Sequence, residues 1–390
     1  MTAIVFVSGL AAEARFRVAG LGLLQRALLV AARAGVRRCL IVGAAPRLEA
    51  DVRYPRLTPV ADLDDARAIL RSEGVDAATR ILCLSAEVVS TPPSLRSLLA
   101  DESERAVLAL HSVPVALVAC AALDAVWPSL SQPASGGLDR LTPAGGIAFT
   151  HVPQGFFAWV RSRQQVTQTE KQLLLSLGNP RDGRLDTLLN RRLSRPLTRL
   201  LLRLPLTANH VTVLALLTGL LAALAFARGT HAASIAGALL FQLVAVLDSC
   251  DGEVARVKLQ ESRFGDALDI SFDAIANAAV FLGIARGTWV AGQLPDVFPV
   301  AWALGLGIIG TFPLVTWAER SLPAPAATPE HRLVQTLVSS LTTRDFSAVL
   351  LAAALTGTLP WFLRGAAVGA NVLWVVLLVL IVRGRAARQP

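Results

Sequence analysis

Residues 247–277 read LDSCDGEVARVKLQESRFGDALDISFDAIAN, and they set four carboxylates, Asp248, Asp251, Asp269 and Asp273, among long apolar runs. A charged side chain at the centre of a membrane helix costs about 2.5–3.5 kcal/mol on insertion scales. Several carboxylates in one place also repel one another. Something must compensate, and a bound divalent cation is the natural candidate. The spacing supports this. Asp248 and Asp251 are three apart, and Asp269 and Asp273 are four apart. On helices each pair lies on one face. Two adjacent helices joined around 258–264 would turn all of these acids toward one another. Oxygen-only ligation suits Mg²⁺, Mn²⁺ or Ca²⁺, and two ions a few ångströms apart fit such a set.

Small residues accompany the acids. Gly252 and Ala255 share the face of Asp248 and Asp251, and Gly265 stands four before Asp269. Missing side chains let helices approach, or let a flat ligand lie against backbone. Arg256 is a permanent cation suited to phosphate. The residues by themselves leave two other readings open. The acids could pair with Arg256, Lys258 and Arg263 without metal, or they could line an ion pathway. A calcium loop is excluded, because Leu247, Ser249 and Lys258 fall where such a loop needs acids.

Working outward, the chain has 390 residues and is 54% hydrophobic. The apolarity concentrates beyond about residue 207, where the sequence predicts about six membrane spans, at 211–227, 232–247, 267–285, 300–318, 346–363 and 366–382. The second is short unless its helix continues through the acidic stretch. Arginines and lysines favour one side: Arg256, Lys258 and Arg263, then Arg320, Arg332 and Arg344, then Arg383, Arg385 and Arg388. The other side holds Arg228, Arg286 and Arg364. The positive-inside rule then places both termini in the cytosol. Before the spans, 184–204 sets Arg191, Arg192, Arg195, Arg199 and Arg203 among leucines, the pattern of a basic amphipathic helix at the membrane interface. Pro196 is a place for that helix to kink or divide.

The first half has the pattern of an ordinary globular domain. Strand-like runs at 3–8, 38–42 and 80–85 alternate with helix-like runs at 21–34 and 63–72. That order predicts an α/β domain with a mostly parallel sheet. The polar run 161–172 looks like a connector. No basic leader or long apolar core opens the chain, so a signal peptide is not expected and the domain should be cytosolic. The formal net charge is +9, and Lys171 and Lys258 are the only lysines. With no basic stretch interleaved with aromatics, this balance points to a membrane and not to nucleic acid. Cys39, Cys83, Cys120 and Cys250 form no C-x-x-C pair and read as reduced thiols. The histidines show no ligand spacing.

The acidic stretch resembles the signature of the CDP-alcohol phosphotransferase family, D-x2-D-G-x2-A-R-x8-G-x3-D-x3-D. Asp248, Asp251, Gly252, Ala255, Arg256, Gly265, Asp269 and Asp273 match it at every spacing. Upstream, PLTANHVT at 205–212 resembles the family's Pro-Asn-x-x-Thr, keeping Asn209 and Thr212 with Ala208 in place of proline. The resemblance implies a six-helix membrane domain, a homodimer, and a polar cavity facing the cytosol. It implies that a CDP-linked alcohol gives its phospho-alcohol group to an acceptor hydroxyl and releases CMP. By position, Asp248, Asp251 and Asp269 would bind metal, Mg²⁺ or Mn²⁺ and two ions in all. Asp273 would complete that site and act as base. Gly252, Ala255 and Gly265 would form the nucleotide surface, with Arg256 at the phosphates.

Residues 179–212 resemble the membrane-proximal part of inositol-phosphate-using members, some of which are fusions with an N-terminal cytidylyltransferase. The stretch 20–43, GLGLLQRALLVAARAGVRRCLIVG, resembles a nucleotidyltransferase helix and strand. The chemistry of such a domain is missing. SGLAAEARF at 8–16 replaces the Gly-rich turn, no lysine precedes Lys171, and Glu87 stands where a metal-binding Asp is expected. The expected organisation is therefore an inactive nucleotidyltransferase-like domain (1–165), a connector with the interfacial helix (166–206), and the transferase membrane domain (207–390). The expected location is a prokaryotic inner membrane. The donor would be CDP-diacylglycerol or CDP-inositol and the acceptor an alcohol or polyol phosphate. Arg195, Arg199 and Arg344 are candidates for the acceptor phosphate. The competing readings are a bifunctional enzyme that makes its own CDP-alcohol, and an inactive membrane scaffold.

Overall fold

The computed structural model describes residues 2–6, 16–43, 51–100, 107–110, 113–131, 147–150, 156–176, 191–321 and 346–386. The chain divides into two compact units. The first is Met1–Gly178 with Val257–Leu259, and the second is Asn179–Arg256 with Gln260–Pro390.

The first unit is a three-layer α/β sandwich. Its sheet strands are β1 (Thr2–Phe6), β2 (Arg38–Val42), β3 (Arg56–Val60), β4 (Arg80–Ser85), β5 (Val107–Leu110), β6 (Val115–Ala119) and β7 (Ile147–Thr150), in the order β7-β5-β6-β4-β1-β2-β3. β1 runs parallel to β2 and β4, β2 to β3, and β5 to β7. β6 is antiparallel to both of its neighbours. The sheet is thus mostly parallel, as its sequence predicts, with one reversed strand.

Side chains alternate across it with period two. Ala3, Val5, Cys39, Ile41, Leu82 and Leu84 pack on one face under helices α1 (Leu23–Arg33) and α3 (Pro92–Leu99). Ile4, Phe6, Leu40, Val42, Ile81 and Cys83 pack on the other, under α2 (Leu63–Ser72) and α4 (Leu123–Ser131). Strands covered on both faces read as continuous apolar runs, which is why RILCLS and RCLIV were recognisable. Local chemistry starts the helices. Asp62 caps α2 by accepting the Asp65 amide at 2.9 Å, and Pro92 follows the Thr91 cap of α3. The run expected as a connector is helical, α5 (Arg163–Ser176), with Leu173 and Leu174 buried and Glu170 accepting the Ala19 amide at 2.7 Å.

The second unit is helical: α6 (Arg191–Arg203), α7 (Ala208–Phe226), α8 (His231–Val257), α9 (Arg263–Val290), α10 (Val297–Ser321), α11 (Phe346–Thr356) and α12 (Leu359–Ala386). Among the described residues, five helical stretches are long and apolar enough to cross a bilayer: Ala208–Phe226, His231–Val257, Arg263–Val290, Val297–Val315 and Leu359–Ile381. α11, over the span expected at 346–363, is a shorter apolar helix. Its end differs from expectation for a physical reason. Gly357 takes a left-handed conformation (φ +71) and breaks the chain there. Arg364, expected near the loop between spans, lies instead inside α12, bonded to Asp296 at 2.6 Å and set over the Trp361 ring. Pro196 neither ends nor divides α6.

Outward side chains such as Leu217, Leu221, Leu224, Leu239, Leu243, Trp302 and Ile309 are exposed and apolar, the surface expected of helices facing lipid. The interior is made by small residues. A Cβ at Gly283 or Gly287 of α9 would collide with the carbonyl oxygen of Ala223 or Phe226 in α7, and one at Gly219 would lie 2.8 Å from the Ala276 Cβ. Without a hydrophobic drive in lipid, such close backbone approach is what holds helices together.

Candidate active site

α8 settles a question that the sequence left conditional. It is 27 residues long and continues through Asp248, Asp251 and Arg256. At about 1.5 Å per residue it therefore carries the acidic turns well past the apolar run. α9 begins directly afterwards. Ser262 caps it, with its hydroxyl accepting the Gly265 amide at 3.0 Å. This short return sets the start of α9 beside the end of α8.

The consequence is a carboxylate cluster. One ligand oxygen each from Asp248, Asp251 and Asp269 lies within 4.8 Å of the others. Asp251 is buried, and Asp248 and Asp269 are half-buried. Asp273, one turn further along α9, is half-buried and falls outside that group. Of the expected set, three acids thus converge across two helices and the last stands on the same helix as Asp269.

α7 supplies what the acids lack. The Thr212 hydroxyl donates to Asp251 Oδ2 at 2.8 Å, which orients the carboxylate. Outer hydrogen bonds of this kind commonly aim metal ligands. The N-terminus of α7 is fastened to the α8–α9 return by the Ala208 amide, which donates to Gln260 Oε1 at 3.1 Å. Thr212 was visible in the sequence as part of a matched motif, but its partner was not. Gln260 carried no signal.

An open cleft adjoins the cluster, lined by Asn209, Thr212, Asp251, Gly252, Ala255, Ser262, Gly265 and Asp269 among others. All the expected nucleotide-surface residues therefore line one cleft. Their small size matters. A Cβ at Gly265 would stand 3.2 Å from the Ser262 hydroxyl and 3.4 Å from Asn209 Oδ1. At Gly252 it would stand 3.2 Å from Arg256 Nη1, so the guanidinium folds back over that glycine. Arg195 is half-buried and Arg199 exposed on α6. Arg344 lies outside the described residues.

Residues 205–360 match the family model for CDP-alcohol phosphatidyltransferases. The match covers α7, α8 and α9, and thus the whole acid cluster. Among curated relatives, a bifunctional IPC transferase and DIPP synthase of Aquifex aeolicus is 29% identical over 149 residues, 38% of this chain and 34% of that protein. Phosphatidylinositol phosphate synthase of Mycobacterium tuberculosis is 35% identical over 106 residues, 27% of this chain and 46% of that protein. The chain thus spans between about a third and a half of the length of these relatives. A crystal structure of the Mycobacterium tuberculosis synthase with CDP-DAG bound is 27% identical and covers 47% of this chain and 92% of that one, with a TM-score of 0.31.

Proposed function

We propose that the chain transfers a phospho-alcohol group from a CDP-alcohol to an acceptor hydroxyl, releasing CMP, within a membrane. The observation that carries this reading is the convergence of Asp248, Asp251 and Asp269 beside a small-residue cleft, inside a domain of the matching family. The donor set fits a hard dication. It is oxygen-only, drawn from two helices, and aimed in part by Thr212. Asp248, Asp251, Asp269 and Asp273 would hold Mg²⁺ or Mn²⁺, two ions in all. Bound there, the metal would neutralise the diphosphate and stabilise the departing phosphate oxygen.

The chain's own residues do the rest. Gly252, Ala255 and Gly265 let the cytidine lie against helix backbone, and Arg256 unfolds from Gly252 to meet phosphate. Asp273 accepts the proton of the acceptor hydroxyl. That oxygen bonds to the phosphorus bearing the donor alcohol, and the bridging P–O bond breaks toward CMP, which leaves with the bonding pair. The relatives' names favour inositol lipid synthesis, with CDP-diacylglycerol or CDP-inositol as donor and a polyol phosphate as acceptor. Arg195, Arg199 and Arg344 would meet the acceptor phosphate.

The helical unit is read as a six-span, homodimeric, multi-pass protein of a prokaryotic inner membrane, with both termini cytosolic. The first unit is read as nucleotidyltransferase-like without its own chemistry. Glu87, at the place of the expected metal ligand, is buried, and its Oε2 accepts the Trp159 indole N–H at 2.9 Å. The deciding experiment measures CMP release by purified full chain, crossing CDP-diacylglycerol and CDP-inositol with several polyol phosphates. One pair should stand far above the others. No CMP from any pair would leave the scaffold reading. Pyrophosphate release from CTP by the full chain would establish the bifunctional one.

A further inference from the structure

Glu253 occupies an open position of the signature, directly after Gly252. A glutamate inside an apolar bundle is costly unless hydrogen bonded. This one is 2% exposed. Its Oε1 accepts the Ser194 hydroxyl at 3.1 Å and its Oε2 the Thr198 hydroxyl at 2.5 Å. Both hydroxyl residues are themselves fully buried. They stand four apart on α6 and so project from one face of it. Cys250, on the same stripe of α8 as Glu253, donates its thiol to the Ser194 carbonyl at 3.6 Å. α6 is therefore seated on α8 by these polar contacts.

Around α8, Glu253 lies nearly opposite Asp251, since each residue advances the helix by about 100°. One face of the same turn holds the cleft and the other is gripped by α6. Before a cation binds, Asp248, Asp251 and Asp269 repel one another, and the simplest relief is for α8 to rotate or slide. A grip behind the acids opposes that motion. We propose that Glu253 is a positioning residue: held by Ser194 and Thr198, it fixes the rotation of α8 so that Asp248 and Asp251 face Asp269 closely enough to bind a dication.

This inference rests on the metal-dependent reading above, and its test separates the two. Mn²⁺ affinity is measured by electron paramagnetic resonance on the full chain, and Cys250 alkylation by N-ethylmaleimide is followed by mass spectrometry. Glu253→Gln and the Ser194→Ala/Thr198→Ala double variant should each weaken Mn²⁺ binding about tenfold, the scale seen for groups that orient metal ligands. Combining the two should add little, because they break one contact. Cys250, fully buried in the intact chain, should react about tenfold faster in both as α6 opens locally. The half-maximal Mg²⁺ concentration for CMP release should rise while saturating Mg²⁺ restores the rate, a rescue that a misfolded variant would not show. Monodisperse variants that bind Mn²⁺ as tightly as the parent would overturn the proposal, as would a Cys250 that stays protected. A parent that binds Mn²⁺ but releases no CMP would sink the transfer reading and leave this one standing.

Discussion

Thr212 and Asp273 are the single residues on which the site turns most. Thr212→Val keeps the shape of the side chain and removes the donor to Asp251 Oδ2. The carboxylate then loses its aim, and the Mg²⁺ concentration giving half-maximal CMP release should rise about 10- to 100-fold. Asp273→Asn removes the proposed base while keeping its volume. CMP release should fall by about 10²-fold or more, with the variant eluting as the parent does on size exclusion. The convergence of Asp248, Asp251 and Asp269 was legible because helix periodicity converts spacing of three or four into a shared face. Thr212 and Asp251 are 39 positions apart in sequence, and no periodicity links such positions. Glu253 was illegible for the same reason, since its partners lie before the first span.

At the level of elements, α7 and α9 owe their closeness to glycines. Gly287→Ala puts a methyl group into the Phe226 carbonyl. Neither backbone can yield without moving a whole helix, so the variant should lose about 1–3 kcal/mol or more. A thermal-shift measurement in detergent reads this as a clear fall in the unfolding midpoint. Gly305→Ala on α10 meets nothing within 4 Å. It should hold or slightly raise the midpoint, because alanine gains up to about 1 kcal/mol of helix propensity over glycine. Five of the expected span positions were readable from apolar length, but helix ends were not. Arg364 looked like a loop residue from its charge alone, whereas its pairing with Asp296 lets it sit within α12. β5 and β6 were not singled out in the run VLALHSVPVALVA. An apolar stretch of that kind suits a buried strand or helix equally, and only its partners decide.

On the scale of the whole molecule, the division into a globular α/β unit and an apolar helical unit was legible from composition alone, because the two halves bury their side chains against different solvents. The α/β unit also carries a pH signature. Burial in the sheet core pushes the Cys39 and Cys83 thiols up from the ordinary 9.0 to about 12. The unfolded chain releases those protons at lower pH than the folded one. Their contribution to stability is therefore complete below about 9 and is lost as the pH climbs toward 12. Near-ultraviolet circular dichroism of the full chain should show the α/β unit melting at falling temperature across that window. Cys39→Ala and Cys83→Ala together should flatten the fall.

The central claim is that the carboxylates on α8 and α9 are tolerated in the bundle because dications sit among them and hold a cytidine diphosphate ester. It is tested most directly by CMP release from metal-stripped protein with its best donor and acceptor, with and without Mg²⁺ added back. The account predicts no release in chelator, full release on adding Mg²⁺, and none in either condition for Asp269→Asn. Turnover that persists undiminished in chelator, or in Asp269→Asn, would contradict it.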